Sequence, residues 1–331
     1  MTVRRYPVAF LALLVACGAC SSSSSESGGS DGPGEDGPDP AADSTLGPSA
    51  PIGFRPFPAS NWWNLPIDTA QVDSASARIV ASAGLNDRLH PDFGTEPTYG
   101  IPYVVVDSTQ ARVNVTFQWP GESDVGPYPI PNDAPIEGGN PNSGDRHILV
   151  IDRDTRMLYE LYAAKKHSDH WSAGSGAIFD LSSNTLRPDG WTSADAAGLP
   201  IFPGLVRYEE VAAGVINHAI RFTVNRTRRA YTLPARHQAS ESLNDSLPPM
   251  GARVRLKASV NINGFSPQAK VIAQAMKTYG MILADNGSDW YFSGTSDDRW
   301  DDDQLNELKE LRGSDFEVVK MGPITTVPLD D

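Results

Sequence analysis

The sequence predicts a mainly β domain of the α+β class, an antiparallel β-sandwich or curved sheet with two or three peripheral helices. Three observations carry that expectation. Short runs rich in Val, Ile, Tyr and Phe recur through the body, bounded by Gly, Pro, Asn and Asp, the pattern of strands joined by turns. The 29 glycines and 27 prolines among 331 residues exceed average usage, as a loop-rich architecture requires. Helical spacing with recognisable start and stop residues is confined to a few short stretches. Both cysteines, Cys17 and Cys20, stand near the N-terminus, so the body has no disulfide and no Cys-based zinc site. Its cohesion depends on core burial, for which one domain of this length suffices.

Residues 1–50 concern address. A basic start containing Arg4 and Arg5 precedes an apolar run over 8–16, the length of a signal-peptide core and too short for a membrane span. The run ends in Leu14-Val15-Ala16-Cys17, which resembles the lipobox of bacterial lipoproteins. That resemblance implies that residues 1–16 are removed and that Cys17 is lipidated, anchoring the chain to a bilayer of the bacterial cell envelope. The anchored face would be periplasmic or cell-surface. Residues 17–50 read as a disordered tether. From 21 onward they are Ser, Gly, Pro, Asp and Glu with a single Thr, and only Ala and Leu46 as apolar members, too little to offset ordering entropy. Such a tether reaches roughly 30 Å.

Residues 51–331 read as a single β-rich domain. Asn61-Trp62-Trp63-Asn64 is an aromatic pair suited to packing, and the Ala-rich 74–83 stretch ending at Gly84 predicts a short helix. Strands are expected over 101–106, 112–117, 147–152, 157–163, 177–181, 218–224, 229–233 and 253–259, the third and fourth closing a hairpin around Arg153-Asp154-Thr155-Arg156. Ser266-Pro267 opens a helix whose stripe is Ile272, Met276 and Tyr279, and Gly280 ends it. Leu305, Leu308 and Leu311 mark another, opened by Asp301, Asp302 and Asp303, which complement the positive helix end. Between the two, 281–283 and 290–292 flank the turn signal Asp285-Asn286-Gly287-Ser288, suggesting a hairpin. A last strand covers 316–319.

Several stretches carry a wider resemblance: Asp145-Arg146-His147-Ile148-Leu149-Val150, Trp191-Thr192-Ser193-Ala194-Asp195, Pro248-Pro249-Met250-Gly251 and Met281-Ile282-Leu283-Ala284-Asp285-Asn286-Gly287. Together they resemble a broad group of secreted bacterial proteins across nearly all of 55–320. The group has no established activity, so the resemblance implies no catalytic residue.

Net charge is −14 and falls by two more with loss of Arg4 and Arg5, which sets the chain against nucleic-acid backbones. There is no P-loop and no His-Glu-x-x-His, and Ala173-Gly174-Ser175-Gly176 lacks the spacing of a nucleophile elbow. No cofactor and no metal is expected. His167-Ser168-Asp169-His170 could take a cation, but the adjacent Lys165 and Lys166 favour a solvated loop. The acidic run from Asp297 to Asp303 could hold calcium, and helix N-terminal charge explains it as well.

The remaining chemistry lies in polar residues on loops and strand ends. Glu137 precedes Gly138-Gly139, where backbone can approach a ligand. Asp145 and His147 straddle the start of a strand. Asp195 sits in a stretch poor in charge, beside Trp191. His218 starts an apolar strand, and Arg236-His237 follows another. Glycoside hydrolysis needs two carboxylates, for which Glu137 and Asp195 are the candidates. A lyase needs a base, His218 or His237, and a cation to neutralise a uronate, Arg236. The candidate catalytic residues are thus Glu137, Asp195 and His218, and the candidate substrate-binding residues Trp191, Arg236 and His237. Ordinary alternatives stand beside them: a hydrogen-bonded core histidine for His218, a capping role for Asp195, a loop brace for Arg236-His237, and a turn for Asp285-Asn286. The functional expectation is a surface-anchored lipoprotein that binds and cleaves an extracellular polysaccharide. The alternative is a non-catalytic carbohydrate-binding or envelope-structural lipoprotein.

Overall fold

Alternation of side chains about one sheet organises the body. Strands Tyr103–Val106, Ile148–Asp152, Met157–Tyr162 and Ser175–Asp180 form a four-stranded sheet in that order, the first pair parallel and the others antiparallel. Side chains one apart on a strand point to opposite faces. Leu149, Ile151, Leu158, Ala177 and Phe179 accordingly join one hydrophobic cluster, while Ile148, Val150, Tyr159 and Leu161 join another. Burial on both faces explains why these strands read as nearly continuous apolar runs. The predicted hairpin is present, and the buried Asp152 closes its turn by accepting from the backbone N–H groups of Asp154 and Thr155.

The computed structural model describes residues 54–139 and 143–328. The leader, the Cys17 lipidation site and the 17–50 tether lie outside the described residues.

The first cluster also holds the core of a six-stranded sheet, ordered His90–Asp92, Tyr291–Ser293, Ile220–Val224, Met281–Asn286, Arg253–Leu256 and Phe316–Val318. The second cluster is closed by a three-stranded sheet of Val115–Phe117, Trp171–Ala173 and Lys165–Lys166. The fold is mainly β, as expected, but both larger sheets are mixed. Strand 90–92 is parallel to 291–293, and 220–224 to 281–286. A parallel neighbour needs a long crossover, and the helix Pro267–Thr278 lies in the one that joins 220–224 to 281–286.

One expectation is overturned here. Residues 281–283 and 290–292 do not form a hairpin, because strand 220–224 lies between them and pairs with both. Asp285-Asn286 is accordingly no turn: both residues continue the strand, Asp285 is buried, and the chain reverses only after Asn286. The local turn signal lost to pairing of strand 281–286 with a neighbour on each side.

Among the described residues four α-helices flank the sheets: Ser76–Ser82, Tyr208–Ala212, Pro267–Thr278 and Asp302–Glu307. Ser266 stands at the N-cap position ahead of Pro267, but its hydroxyl donates to Glu307 (2.9 Å), so it ties two helices together rather than capping its own. Asp301 caps its helix through the N–H groups of Asp303 and Gln304, both at 3.1 Å. Trp63 is buried, as the aromatic pair suggested. Among the described residues no helix is long and apolar enough to cross a membrane.

Candidate functional site

Three neighbouring strands of the six-stranded sheet build the floor of the site. Register places Asp92 opposite Ser293, and the antiparallel pairing of 291–293 with 220–224 continues that row to Arg221. Paired positions share a face, and Arg221 Nη1 donates to Ser293 Oγ at 2.7 Å. Asp92 belongs to an edge strand containing Pro91, the place in a sheet where a residue without an N–H is tolerated.

Arg221 is buried and must be paired. Its partner is Asp195, in the loop that crosses the sheet, with Nε to Oδ2 and Nη2 to Oδ1 both at 2.6 Å. This fork-to-fork geometry uses both carboxylate oxygens, and Asp195 is 0 % exposed. Asp285 reaches the same guanidinium from the next strand, Oδ2 lying 3.9 Å from Nη2. A bulge between Leu283 and Asp285 re-aims it. Burial, with the negative charge of Asp195 close by, raises the Asp285 carboxyl well above the ordinary value, against the pull of Arg221.

Glu137 and His147 come from the segment that leads into strand Ile148–Asp152. Glu137 N–H donates to His147 O (3.1 Å), His147 N–H donates back to Glu137 Oε2 (3.3 Å), and His147 Nδ1 lies 2.6 Å from the same oxygen. Gly138 and Gly139 follow with φ of +73° and +63°, a conformation that disfavours side chains, so the glycines permit the turn that follows Glu137. Burial alone would lower the His147 pKa, but the Glu137 carboxylate beside it raises it to about 9. The imidazolium donates from both nitrogens, Nε2 to Ala194 O at 3.1 Å. Burial would raise Glu137, yet the charge and hydrogen bonds of His147 hold it below the ordinary range. The Glu137 side chain keeps 22 % of its surface in solvent.

Asp92, half-buried on the facing strand, shifts the other way. Burial raises it, the Tyr99 hydroxyl offsets this in part, and the nearby charges of Glu137 and Asp145 push it further. Tyr99 is held by its hydroxyl, 2.8 Å from His90 Nε2 and donating to Pro91 O at 3.1 Å. Beneath the site, Glu160 is fully buried and raised to about 7, even though it accepts from the N–H groups of Ile201 and Phe202.

Of the residues singled out in the sequence, Glu137 and Asp195 come together here, joined through His147 and Ala194. Trp191, Arg236 and His237 lie around the loop that carries Asp195. The Arg187 guanidinium sits over the Trp191 ring (5.5 Å), Arg236 Nε donates to Arg187 O (3.0 Å), and His237 Nδ1 donates to Ala196 O (3.0 Å). His218 belongs to a different buried group, with Nδ1 donating to Ala219 O (2.7 Å) and Nε2 3.0 Å from Glu210, which also pairs with Arg207. His167 and His170 stack on each other in the lysine-bearing hairpin. No group of three or more His, Cys, Asp or Glu among the described residues is arranged to hold a metal.

Sequence reasoning missed Asp92, Arg221 and Asp285 as site residues. A signal existed for Arg221, since a charge inside Ile220-Arg221-Phe222-Thr223-Val224 must find a partner once the strand is buried. The same holds for Glu160 in Met157–Tyr162. Asp92 had none, because its strand is three residues long and contains proline. Compared with known proteins, the chain matches no family model, no curated protein and no solved structure.

Proposed function

We propose that this protein is a lipid-anchored protein of the bacterial cell envelope whose β-rich domain binds and hydrolyses an extracellular polysaccharide. The observation that carries the catalytic part is a pair of carboxyl groups: Asp92 lies within reach of the Glu137 charge, and different partners drive the two apart in acidity. Neighbouring carboxyls whose environments push their acidities apart are the mark of an acid and a base. Asp92 keeps its proton to higher pH and donates it to the leaving glycosidic oxygen. Glu137, held ionised by His147, takes the proton of the water that adds to the anomeric carbon, or attacks that carbon itself. Asp195 is the less suitable second carboxylate because both its oxygens are engaged by Arg221; its role is to hold Arg221 in the floor. A lyase built on His218 and Arg236 is disfavoured, since His218 lies in a separate buried group. Anchoring rests on the lipobox-like stretch ending at Cys17.

The test incubates the protein with neutral, amine-bearing and uronic polysaccharides, following reducing ends, ultraviolet absorbance and co-sedimentation. New reducing ends without absorbance, lost in Asp92→Asn and Glu137→Gln while both variants still co-sediment, support the proposal. Absorbance from unsaturated products would mean a lyase, and co-sedimentation without reducing ends would favour the binding-module alternative. Cys17→Ser should release the protein from the membrane fraction.

A further inference from the structure

We infer that a second sugar-binding subsite, selective for uncharged or amine-bearing residues of a glycan chain, lies beside the acid–base pair. The inference rests on the glycan-hydrolase reading and extends it. A surface cleft of about 310 Å³ is lined by Pro102, Tyr103, Pro135, Ser296, Asp298 and Arg299, among others. Ligand pockets span ~300–1,000 Å³, so the cleft has room for a sugar residue.

Three segments run from the catalytic pair into this cleft. One leaves Asp92 and reaches Pro102 and Tyr103; one links Glu137 to Pro135; one leaves Ser293, which is paired with Asp92, and reaches Ser296. The first and third are pinned together, with Ile101 N–H donating to Gly294 O at 3.0 Å. Between them Gly100 has no room for a side chain, because a Cβ there would sit 2.7 Å from Ser296 N. The cleft therefore holds a fixed relation to Asp92 and Glu137, as the next subsite along a polymer must.

Its lining selects by charge. Glu209, Asp297 and Asp298 stand against one cation, Arg299. That cation is already spoken for: Nε donates to Asp297 at 2.7 Å, Nη2 pairs with Glu209, and the guanidinium lies 4.3 Å over the Tyr208 ring. A uronate would meet excess negative charge here. Sugar hydroxyls find carboxylate acceptors, and an ammonium finds opposite charge. Tyr103, Pro102 and Pro135 supply apolar surface for a ring face.

The test is calorimetric titration of the full chain carrying Glu137→Gln, so that substrate survives. The probes are disaccharides and hexasaccharides of the cello, laminari, xylo, chitosan and galacturonate series. At least one neutral or chitosan hexasaccharide should bind tenfold or more tightly than its disaccharide. Adding Ser296→Trp should bring the hexasaccharide down to the disaccharide value. Asp298→Trp, at an exposed position, repeats the block if the first variant fails to fold. The inference is overturned if only galacturonate binds, if nothing binds, or if neither tryptophan alters a chain-length gain. Tight, length-dependent binding with no hydrolysis by the wild type would sink the acid–base reading and keep the subsite. Hydrolysis with binding indifferent to length would sink the subsite alone.

Discussion

Replacing Asp195 by Asn tests whether the floor of the site is built on charge. The carboxylate is fully buried, and it answers a guanidinium whose side chain is 8 % exposed. Asparagine keeps one acceptor but turns an amide N–H₂ toward a guanidinium N–H, losing one of two hydrogen bonds and the whole charge. Breaking a buried pair from one side costs about 3–5 kcal/mol, because the remaining charge is stranded. Part of that loss is recoverable here. Asp285 already lies 3.9 Å from Arg221, and the Asp195 charge is among the causes that raise its carboxyl. Without that charge the Asp285 carboxyl is lowered and stands beside Arg221 as a second partner, so the lower figure, about 3 kcal/mol, is expected. In a domain of this size that lowers Tm by about 5 °C. Differential scanning calorimetry at neutral pH measures it, and Arg221→Met in the Asp195→Asn background should restore much of the loss. A drop below about 2 °C for the single variant, equivalent to under ~1 kcal/mol, would refute the reasoning.

Other consequences follow from the same geometry. The Glu137–His147 pair makes stability depend on pH at both ends. His147, raised to about 9, contributes fully below its ordinary value of 6.5, and the contribution is lost as pH rises through 9. Glu137, depressed, contributes above its ordinary value and loses the contribution as pH falls through its folded one. Melting curves of the wild type and Glu137→Gln should therefore converge as pH rises through 9; a gap constant across that window would count against the pair. Glu160, raised from 4.5 to about 7, holds a proton that the unfolded chain has released, so stability falls as pH rises between those values. Glu160→Gln keeps an acceptor for Ile201 and Phe202 and should flatten that slope, which a pH series of denaturant titrations would show. Gly251 has φ +80°, and a Cβ would lie 2.1 Å from Thr232 O. Gly251→Ala should cost at least about 1–3 kcal/mol, read as a lower denaturant midpoint.

Much of the fold could be read locally. The 148–162 hairpin, the helix after Ser266-Pro267 and the Asp301 cap each follow from a few adjacent residues whose chemistry permits little else. Errors arose where neighbours in space are distant in sequence. Asp285-Asn286-Gly287-Ser288 has turn composition, but strand 220–224 claims the first two residues for the sheet. The site divides in the same way. Glu137 showed itself through the glycines after it, and Asp195 through its isolation in a stretch poor in charge. Asp92 emerges only when a parallel pairing sets it opposite Ser293.

By itself, the sequence determined the composition of the strands, the helix boundaries set by Pro, Ser, Asp and Gly, and the need of a disulfide-free body to cohere by burial. These depend on side-chain size, backbone freedom and capping within a few residues. Tertiary structure alone decided that the sheets are mixed and that Asp195 spends its charge on Arg221. It also decided that Asp92 lies within reach of the Glu137 charge and that the two carboxyls shift in opposite directions. The reason is that acidity and pairing depend on burial and on charges a few ångströms away, which residues far apart in the chain supply only once the strands are in register.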